Sequence, residues 1–309
     1  MITESPDQPD HQPKAANPRL SGNLRSIQAM LAAVLMFSIM DTIMKLLSAE
    51  FPPMQVAALR ALSSLPLVCV YVAWRGGFRS ILQIRWPLHL LRAAIGIVML
   101  ALFAYGVRDL SLAEAYTIFF IGPILITALS VFVLKERVNR ARWLAIAIGM
   151  AGVLVVLRPS GDGFLTLGGL AILVAAVCYA VSAVTGRVLA RSDSSEQMVF
   201  WLMLMMAIGA TALAWPSWTP VEARHLPLLG GLALSGFLAQ LAITEAFSHG
   251  EASVVAPFEY TALACGIAID WLFWQTLPDQ YTLIGAAIII GSGIYLIRNE
   301  KVHAEAEHP

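Results

Sequence analysis

Cysteine is scarce in this sequence. The 309 residues include three cysteines, Cys69, Cys178 and Cys265, which are far apart and each lie inside an apolar stretch. This distribution excludes a disulfide framework and the CxxC spacing of a structural metal site. We interpret the three cysteines as small core residues, and we expect neither a metal nor a cofactor.

Charged residues are also few. Asp, Glu, Lys and Arg make up 13% of the chain against 58% hydrophobic residues, and the formal net charge is zero. The mean hydropathy is +0.73. Soluble domains do not reach this value, so the composition predicts an integral membrane protein embedded in the lipid bilayer. The neutral balance gives no sign of a nucleic-acid partner.

Several functional signatures are missing as well. The sequence contains no HExxH, no GxSxG, no GxxxxGK[ST] phosphate-binding loop and no His and Asp clustered in a loop. The connections between apolar segments are too short to build a catalytic domain. Rings of like charge or a repeated filter segment, which are typical of channels, are not visible either. The sequence therefore argues against an enzyme, an ATP-driven pump and a channel.

Apolar runs of membrane-spanning length fill most of the chain. Because about 20 apolar residues cross a bilayer, ten segments qualify, at roughly 27–47, 53–74, 87–107, 110–134, 141–157, 166–189, 197–215, 226–247, 252–274 and 281–297. Residues 1–25 hold four prolines and no apolar run, so we expect a disordered tail there and a second, charged tail at 299–309. The pattern predicts an all-α protein with ten transmembrane helices.

Lysine and arginine are unevenly divided between the two sides of the predicted helices. Three lie on one side (Arg108, Arg158 and Arg224), three lie within segments (Lys45, Arg60 and Arg92), and the rest fall on the other side, at Lys14, Arg19, Arg25, Arg75, Arg79, Arg85, Lys135, Arg137, Arg140, Arg142, Arg187, Arg191, Arg298 and Lys301. Since the cytoplasmic side carries the excess, we expect both termini in the cytoplasm of a cell whose inner membrane holds the protein.

The chain also matches itself weakly at an offset of about 140 residues. Phe37 aligns with Tyr179, Gln55 aligns with Gln197, and LAEAYT aligns with ASVVAP. A duplication explains this match, with units at 26–158 and 159–298. Because each unit has five helices, an odd number, the second must enter the membrane from the opposite face. The sequence thus predicts an inverted repeat around a central cavity, an arrangement suited to alternating access.

Two phrases give the chain a family resemblance. SLAEAYTIFFIGPILITALSVFVLKERV, followed by RWLAIAIGMAGVLVVLRP, is similar to the EamA family of the drug/metabolite transporter superfamily, and the likeness extends from about Ser26 to Arg298. The resemblance implies a ten-helix carrier whose cavity is lined by helices one, three, four, six, eight and nine, with helices five and ten as a peripheral scaffold. It also implies a small-molecule cargo. Relatives with known substrates export amino acids and related metabolites or take up nucleotide-like metabolites such as S-adenosylmethionine.

Carboxylates inside the predicted helices are the first candidates for substrate binding. A charge in hydrocarbon costs at least a few kcal/mol unless it faces a cavity or a partner. Glu259, about a third of the way through the ninth helix with Tyr260 beside it, is the preferred residue. Glu114, about one turn inside the outer end of the fourth helix, either faces the cavity or snorkels to the interface.

Other polar residues share helix faces with one another. Gln240 and Thr244 stand four apart in the eighth helix, with Glu245 next to them, and we expect this face to look inward. Asp41 and Lys45 are also four apart, so an intrahelical ion pair is their simplest interpretation.

Arg60 and Arg92 are isolated in their own segments. Each is available to neutralise an intramembrane carboxylate, and Arg92 is also a candidate donor to the carboxylate of a substrate.

Aromatic and proline residues complete the candidate site. An aromatic wall for the apolar part of a substrate and ordinary packing or lipid contact are both open for Phe37, Tyr105, Phe119, Phe120 and Tyr179. Pro123 and Pro257 each remove a backbone donor and free the carbonyl four residues earlier, at Phe119 and Ser253. Either they act as hinges or they only shape the packing.

Small residues recur in the fifth and tenth helices. Ala145 with Gly149, and Ala287 with Gly291, give faces on which helix backbones approach closely. These faces fit an internal scaffold or a dimer seam, so the pattern leaves both a monomer and a homodimer open.

The residues therefore favour a secondary carrier for a small zwitterionic metabolite, most simply an amino-acid exporter working by alternating access. Uptake of a nucleotide-like metabolite such as S-adenosylmethionine is the alternative. A membrane-embedded enzyme is the alternative of another class. The sequence leaves proton coupling and facilitated diffusion equally open.

Overall fold

The computed structural model describes residues 18–75, 81–106, 110, 112–159, 166–275 and 279–306. Every regular element in these ranges is helical, and ten helical stretches are long and apolar enough to cross a membrane. The predicted all-α class with ten spans is confirmed.

The ten spans divide into continuous and broken ones. The first three are α1 (Pro18–Leu47), α2 (Pro53–Trp74) and α3 (Trp86–Gly106), and the fourth is built of α4 (Leu112–Phe119), α5 (Gly122–Leu129) and a π-helical turn, Ser130–Leu134. Spans five to eight are α6 (Arg140–Leu157), α7 (Leu167–Leu189), α8 (Ser195–Ala214) and α9 (Leu226–His249). The ninth is built of α10 (Ala252–Val255), a 3₁₀ segment, Ala256–Tyr260, and α11 (Thr261–Trp274), and the tenth is α12 (Gln280–Ala306).

Helices extend into both of the predicted tails. Helix α1 begins at Pro18 and α12 runs to Ala306, so parts of residues 1–25 and 299–309 are helical. Proline is well suited to the first turn of a helix, and the Ala, Glu and Lys residues that follow Arg298 are good helix formers. Both membrane helices therefore continue past their apolar segments.

The two broken spans have the same cause. Proline lacks an N–H and clashes with the carbonyl four residues before it, so α4 ends at Phe119 and α5 begins at Gly122 with Pro123 in its first turn. Pro257 lies in the 3₁₀ segment that separates α10 from α11. Both interruptions lie inside the membrane, where irregular backbone is tolerated only if it is buried in protein or lines a cavity.

Helix packing follows the duplication in the sequence. The most extensive contacts join α1 with α9, α3 with α7, α2 with α8, and α6 with α12. Each span corresponds to the span five positions later or earlier in the chain. If every helix is replaced by its counterpart in the other half, the first pair becomes the second, and the other two pairs stay the same. This is the pattern that two copies related by a two-fold axis require.

Equivalent turns follow the two broken spans. Lys135 and Gln275, which are 140 residues apart, both have left-handed backbone, with φ of 57° and 53°. Four residues later, the side chain of Asn139 caps α6 at the N–H of Arg142, and the side chain of Asp279 caps α12 at the N–H of Thr282. Five spans separate these turns, so they lie on opposite faces. The inverted relation stays a prediction, which these paired features support.

Helices α6 and α12 approach each other through glycines. A Cβ on Gly152 would lie 2.9 Å from the carbonyl oxygen of Gly285, and a Cβ on Gly285 would lie 2.7 Å from that of Gly152. Gly149 gives room to the ring of Tyr260, whereas Gly291 has open space around it. The close approach of the two helices that we expected is present, but Gly152 and Gly285 form it and Gly291 does not. The point where α6 and α12 cross lies one to two turns before Gly291 on α12.

Candidate functional site

A central cavity of about 340 Å³ lies between spans one to four and six to nine. This volume falls within the range of small-molecule sites. Its lining includes residues of α2 and α8, two helices that were not expected there, because these helices pack against each other across the centre of the molecule. No described lining residue comes from α6 or α12, which agrees with their peripheral position.

Most of the predicted site residues meet in this cavity. The residues that line it are Phe37, Arg92, Phe119, Phe120, Tyr179, Gln240, Thr244 and Glu259, together with Pro123. They come from six different spans, so their convergence is a property of the fold. Their function in binding remains a prediction.

Other predicted residues lie outside the cavity. Tyr105 is 43% exposed on α3, and Glu245 accepts hydrogen bonds from Arg25 and Ser195 at the end of α9. Tyr260 is fully buried against Gly149. Successive residues in a 3₁₀ helix point about 120° apart, so the neighbour of Glu259 faces α6.

Two predicted residues remain, Pro257 in the ninth span and Glu114 in the fourth. Pro257 is buried in the 3₁₀ segment and is not part of the cavity lining. The side chain of Glu114 lies outside the described residues.

Arg92 is the most unusual group in the cavity. Its residue is only 8% exposed, and its Nε and Nη1 atoms have no hydrogen-bond partner among the described residues. Its guanidinium lies against Gly186 of α7, where an added Cβ would stand 3.4 Å from Cζ. An unpaired buried cation is costly, so this site is suited to an anionic group that enters the cavity.

Glu259 is the acidic side chain of the cavity. The hydroxyl of Tyr179 donates to its Oε1 at 2.9 Å, and Tyr179 also interacts electrostatically with Arg92. Within the cavity, the phenol of Tyr179 thus interacts with both the guanidinium of Arg92 and the carboxyl group of Glu259. The break at Pro257 places Glu259 here, because the wider turn of a continuous α-helix is replaced by 3₁₀ geometry.

Arg60 is the second cation of the cavity, and unlike Arg92 it has a nearby carboxylate and an aromatic ring to offset its charge. It interacts electrostatically with Asp41 of α1, and its Cζ lies 5.6 Å from the centre of the Phe37 ring, a cation–π distance. The structure therefore gives Asp41 an interhelical partner in Arg60, whereas the pair with Lys45 proposed from sequence spacing stays a prediction.

The apolar wall contains groups that the sequence patterns did not single out. Phe119 stacks near Tyr179 with ring centroids 5.5 Å apart, and six methionines line the cavity, namely Met30, Met44, Met99, Met198, Met203 and Met206. Methionine is unbranched and adapts its shape to its neighbours. Its presence in three separate spans has no periodic signal in the sequence, so only the fold could reveal it.

The cavity is closed toward the predicted cytoplasmic face. The carboxylate of Glu136, just after span four, accepts from the backbone N–H groups of Ala252 and Ser253 at 2.9 and 3.0 Å. Arg142 donates to the hydroxyl of Ser253 and forms an ion pair with Glu251. These contacts join the end of span four to the start of span nine.

A second contact closes the same face. The guanidinium of Arg187, at the end of α7, donates to the carbonyl oxygens of Phe247 and Ser248 at the end of α9. Among the described residues, the equivalent pairs at the predicted outer face, α4 with α11 and α1 with α3, do not pack to a comparable extent. The contacts at the predicted cytoplasmic mouth are therefore the more extensive among the described residues, which is the pattern expected of an outward-facing carrier if the predicted orientation holds.

Sequence comparison places the chain among known transporters. A sequence model of the EamA-like transporter family matches twice, over residues 24–158 and 166–298. A pseudopaline exporter of Pseudomonas aeruginosa is 27% identical over 86% of this chain and 93% of its own length. An S-adenosylmethionine uptake transporter of Rickettsia conorii is 27% identical over 94% and 99%. A riboflavin transporter of Vibrio cholerae is 27% identical over 90% and 94%.

Structural comparison supports the same fold. A crystal structure that covers 92% of this chain and 99% of its own superposes with a TM-score of 0.77 at 22% sequence identity. At this identity the likeness concerns the fold alone.

Proposed function

Since the chain belongs to the EamA-like transporter family, we propose that it is a secondary carrier that exports small zwitterionic metabolites, amino acids in particular, by alternating access. The chain is a multi-pass membrane protein whose relatives are metabolite transporters. The cargo and the direction are the parts that we propose.

The observation that carries the proposal is the presence of both Arg92 and Glu259 in the lining of one mostly apolar cavity. An α-amino acid presents a carboxylate and an ammonium group a short distance apart. The unpaired guanidinium of Arg92 is suited to the carboxylate, which it can hold through two parallel hydrogen bonds. Glu259 is suited to the ammonium group, and the methionines and aromatic rings are suited to the remainder.

The second candidate is uptake of S-adenosylmethionine or a similar nucleotide-like metabolite. The closely spaced rings of Phe119 and Tyr179 favour it, because a planar base stacks well on aromatic side chains. S-adenosylmethionine carries the same amino-acid head group, so Arg92 and Glu259 would serve both cargoes. Competition experiments separate the two.

We also propose that the protein resides in the inner membrane with both termini in the cytoplasm. The excess of Lys and Arg on one side of the spans supports this orientation. A cysteine placed in either tail should react with an impermeant reagent only after the membrane is opened. Labelling of one tail in intact cells would contradict the orientation.

Transport into liposomes tests the proposed cargo. Purified protein reconstituted with internal unlabelled amino acid should accumulate labelled amino acid by counterflow, with saturation and a preference for one enantiomer. N-acetylated amino acids and amino-acid methyl esters should compete poorly, since each lacks one of the two charges that the cavity matches. Protein-free liposomes are the control.

The competitor panel decides between the candidates. Stronger inhibition by S-adenosylmethionine than by any amino acid would replace the first candidate with the second. Equal inhibition by the acetylated and free amino acids would contradict the proposed role of Glu259.

A further inference from the structure

Two histidine–carboxylate pairs lie at opposite faces of the molecule. Nε2 of His89 is 2.8 Å from Oδ2 of Asp193, and Nε2 of His225 is 3.1 Å from Oε2 of Glu50. His89 lies at the start of α3 and His225 immediately before α9, whereas Asp193 and Glu50 follow α7 and α1. Exchange of the two halves therefore turns one pair into the other.

The pair at the predicted cytoplasmic face is deeply buried. The side chains of His89 and Asp193 are 2% and 3% exposed. Asp193 also accepts from the backbone N–H of Arg85 and from the hydroxyl of Ser192. Burial raises the pKa of this carboxyl, but the hydrogen bonds from Ser192, His89 and Arg85 outweigh it and hold the pKa below the usual value. The ionised carboxylate thus ties the start of α3 to the end of α7.

The same contact lies close to Arg92 in the sequence. Arg92 lies one turn after His89 on α3, and its guanidinium rests against Gly186, on the last turns of α7. The packing of α3 on α7 decides how far Arg92 reaches into the cavity. A slip between these helices would move the guanidinium relative to Tyr179 and Glu259.

Both pairs are formed in one conformation, although in the part of the chain that the structure describes only the predicted cytoplasmic mouth is closed by contacts. Among the residues described, α7 packs on α9 at the predicted cytoplasmic face, whereas α1 and α3 do not pack comparably at the other face. If each histidine–carboxylate pair broke whenever the mouth on its own side of the molecule opened, the two pairs would not both be present in this conformation. The two pairs therefore behave as fixed connections within moving parts.

We propose that His89 and Asp193 are positioning residues for Arg92, and that their contact makes α3 and α7 move as one unit against α1 and α9. His225 and Glu50 hold α1 and α9 together in the same way. The role given to Arg92 rests on the proposed function, whereas the division into two units does not.

Spin-label distances test the two units without knowledge of the cargo. In a variant whose three cysteines are replaced by alanine, labels at Leu90 and Arg191 report on α3 against α7, and labels at His249 and Arg191 report on α9 against α7. In lipid nanodiscs the first pair should give one narrow distance, and the second a broad or two-peaked distribution as the mouth opens and closes. Equal breadth for both pairs would overturn the proposal.

Variants of the pair test the positioning role. His89→Ala should broaden the Leu90–Arg191 distance and raise KM for transported substrate about tenfold or more, with a smaller change in maximal rate. His89→Gln should restore both, because its amide can donate to Asp193. His225→Ala is the matched control and should leave the Leu90–Arg191 distance unchanged.

The outcomes separate the two proposals. An unchanged Leu90–Arg191 distance in His89→Ala would refute the positioning role. If no amino acid is transported while the distances follow expectation, the units stand and the proposed cargo fails.

Discussion

Replacing Arg92 with methionine sharply reduces transport and raises the thermal stability of the empty protein. This is the expected result, because the guanidinium is buried with two nitrogens unpaired. Hydrogen bonds to a charged group contribute roughly 1.5–3 kcal/mol, which corresponds to a loss of roughly 10- to 100-fold in transport efficiency. Removing a buried, unpaired cation relieves its desolvation cost, so the melting temperature should rise by about 2 °C or more.

The opposite signs of the two effects distinguish a binding role from a structural one. Arg92→Lys keeps the charge but loses the planar fork, so its transport should be intermediate. Arg60→Met is the matched control, since it removes the charge that offsets Asp41 and should not stabilise the protein. Counterflow and thermal unfolding of the three purified variants measure both effects. If Arg92→Met lowers stability as much as Arg60→Met, Arg92 is a structural residue.

Glu259→Gln is expected to have the second largest effect. The substitution keeps the size of the side chain and its contact with Tyr179 but removes the charge that matches an ammonium group. Loss of a charge-assisted contact should reduce transport efficiency by roughly 10- to 100-fold. Expression and melting temperature should be retained, because the amide oxygen still accepts from the phenol.

Two further variants show whether this effect is specific. Tyr179→Phe removes the described donor to Glu259 without removing a charge, so a smaller loss is expected. Glu245→Gln also neutralises a carboxylate, but one that lies outside the cavity and contacts Arg25 and Ser195. Its KM should stay within about twofold of the parent value. Normal KM in Glu259→Gln would exclude this residue as the ammonium site.

Much of the fold follows from local features of the sequence. Apolar length alone predicts the ten spans, because every backbone group in hydrocarbon must be paired within a helix. Pro123 and Pro257 predict the two interruptions for the same reason. The alignment of Gln55 with Gln197 also has a structural counterpart. Each side chain bonds the backbone of the connection between spans two and three of the other half, at Thr219 and Gln83.

The site was predictable only in part. The convergence of Arg92, Tyr179 and Glu259 depends on which faces of three distant spans turn inward, and helices with weak amphipathicity in lipid do not encode this in their own periodicity. Glu245 and Tyr260 show the limit clearly. Glu245 shares a helix with the inward-facing Gln240, yet it turns to Arg25. Tyr260 adjoins Glu259, yet it packs behind the cavity.

The contacts of Glu136, Arg142 and Arg187 seal one mouth of the protein in this structure. For an exporter, this is the conformation that releases the cargo. Affinities measured on it would describe the release of cargo, whereas the inward-facing conformation, which captures cargo, exposes the same groups to the cell interior. A ligand screen against this conformation would therefore favour compounds that prevent the carrier from returning to its inward-facing conformation.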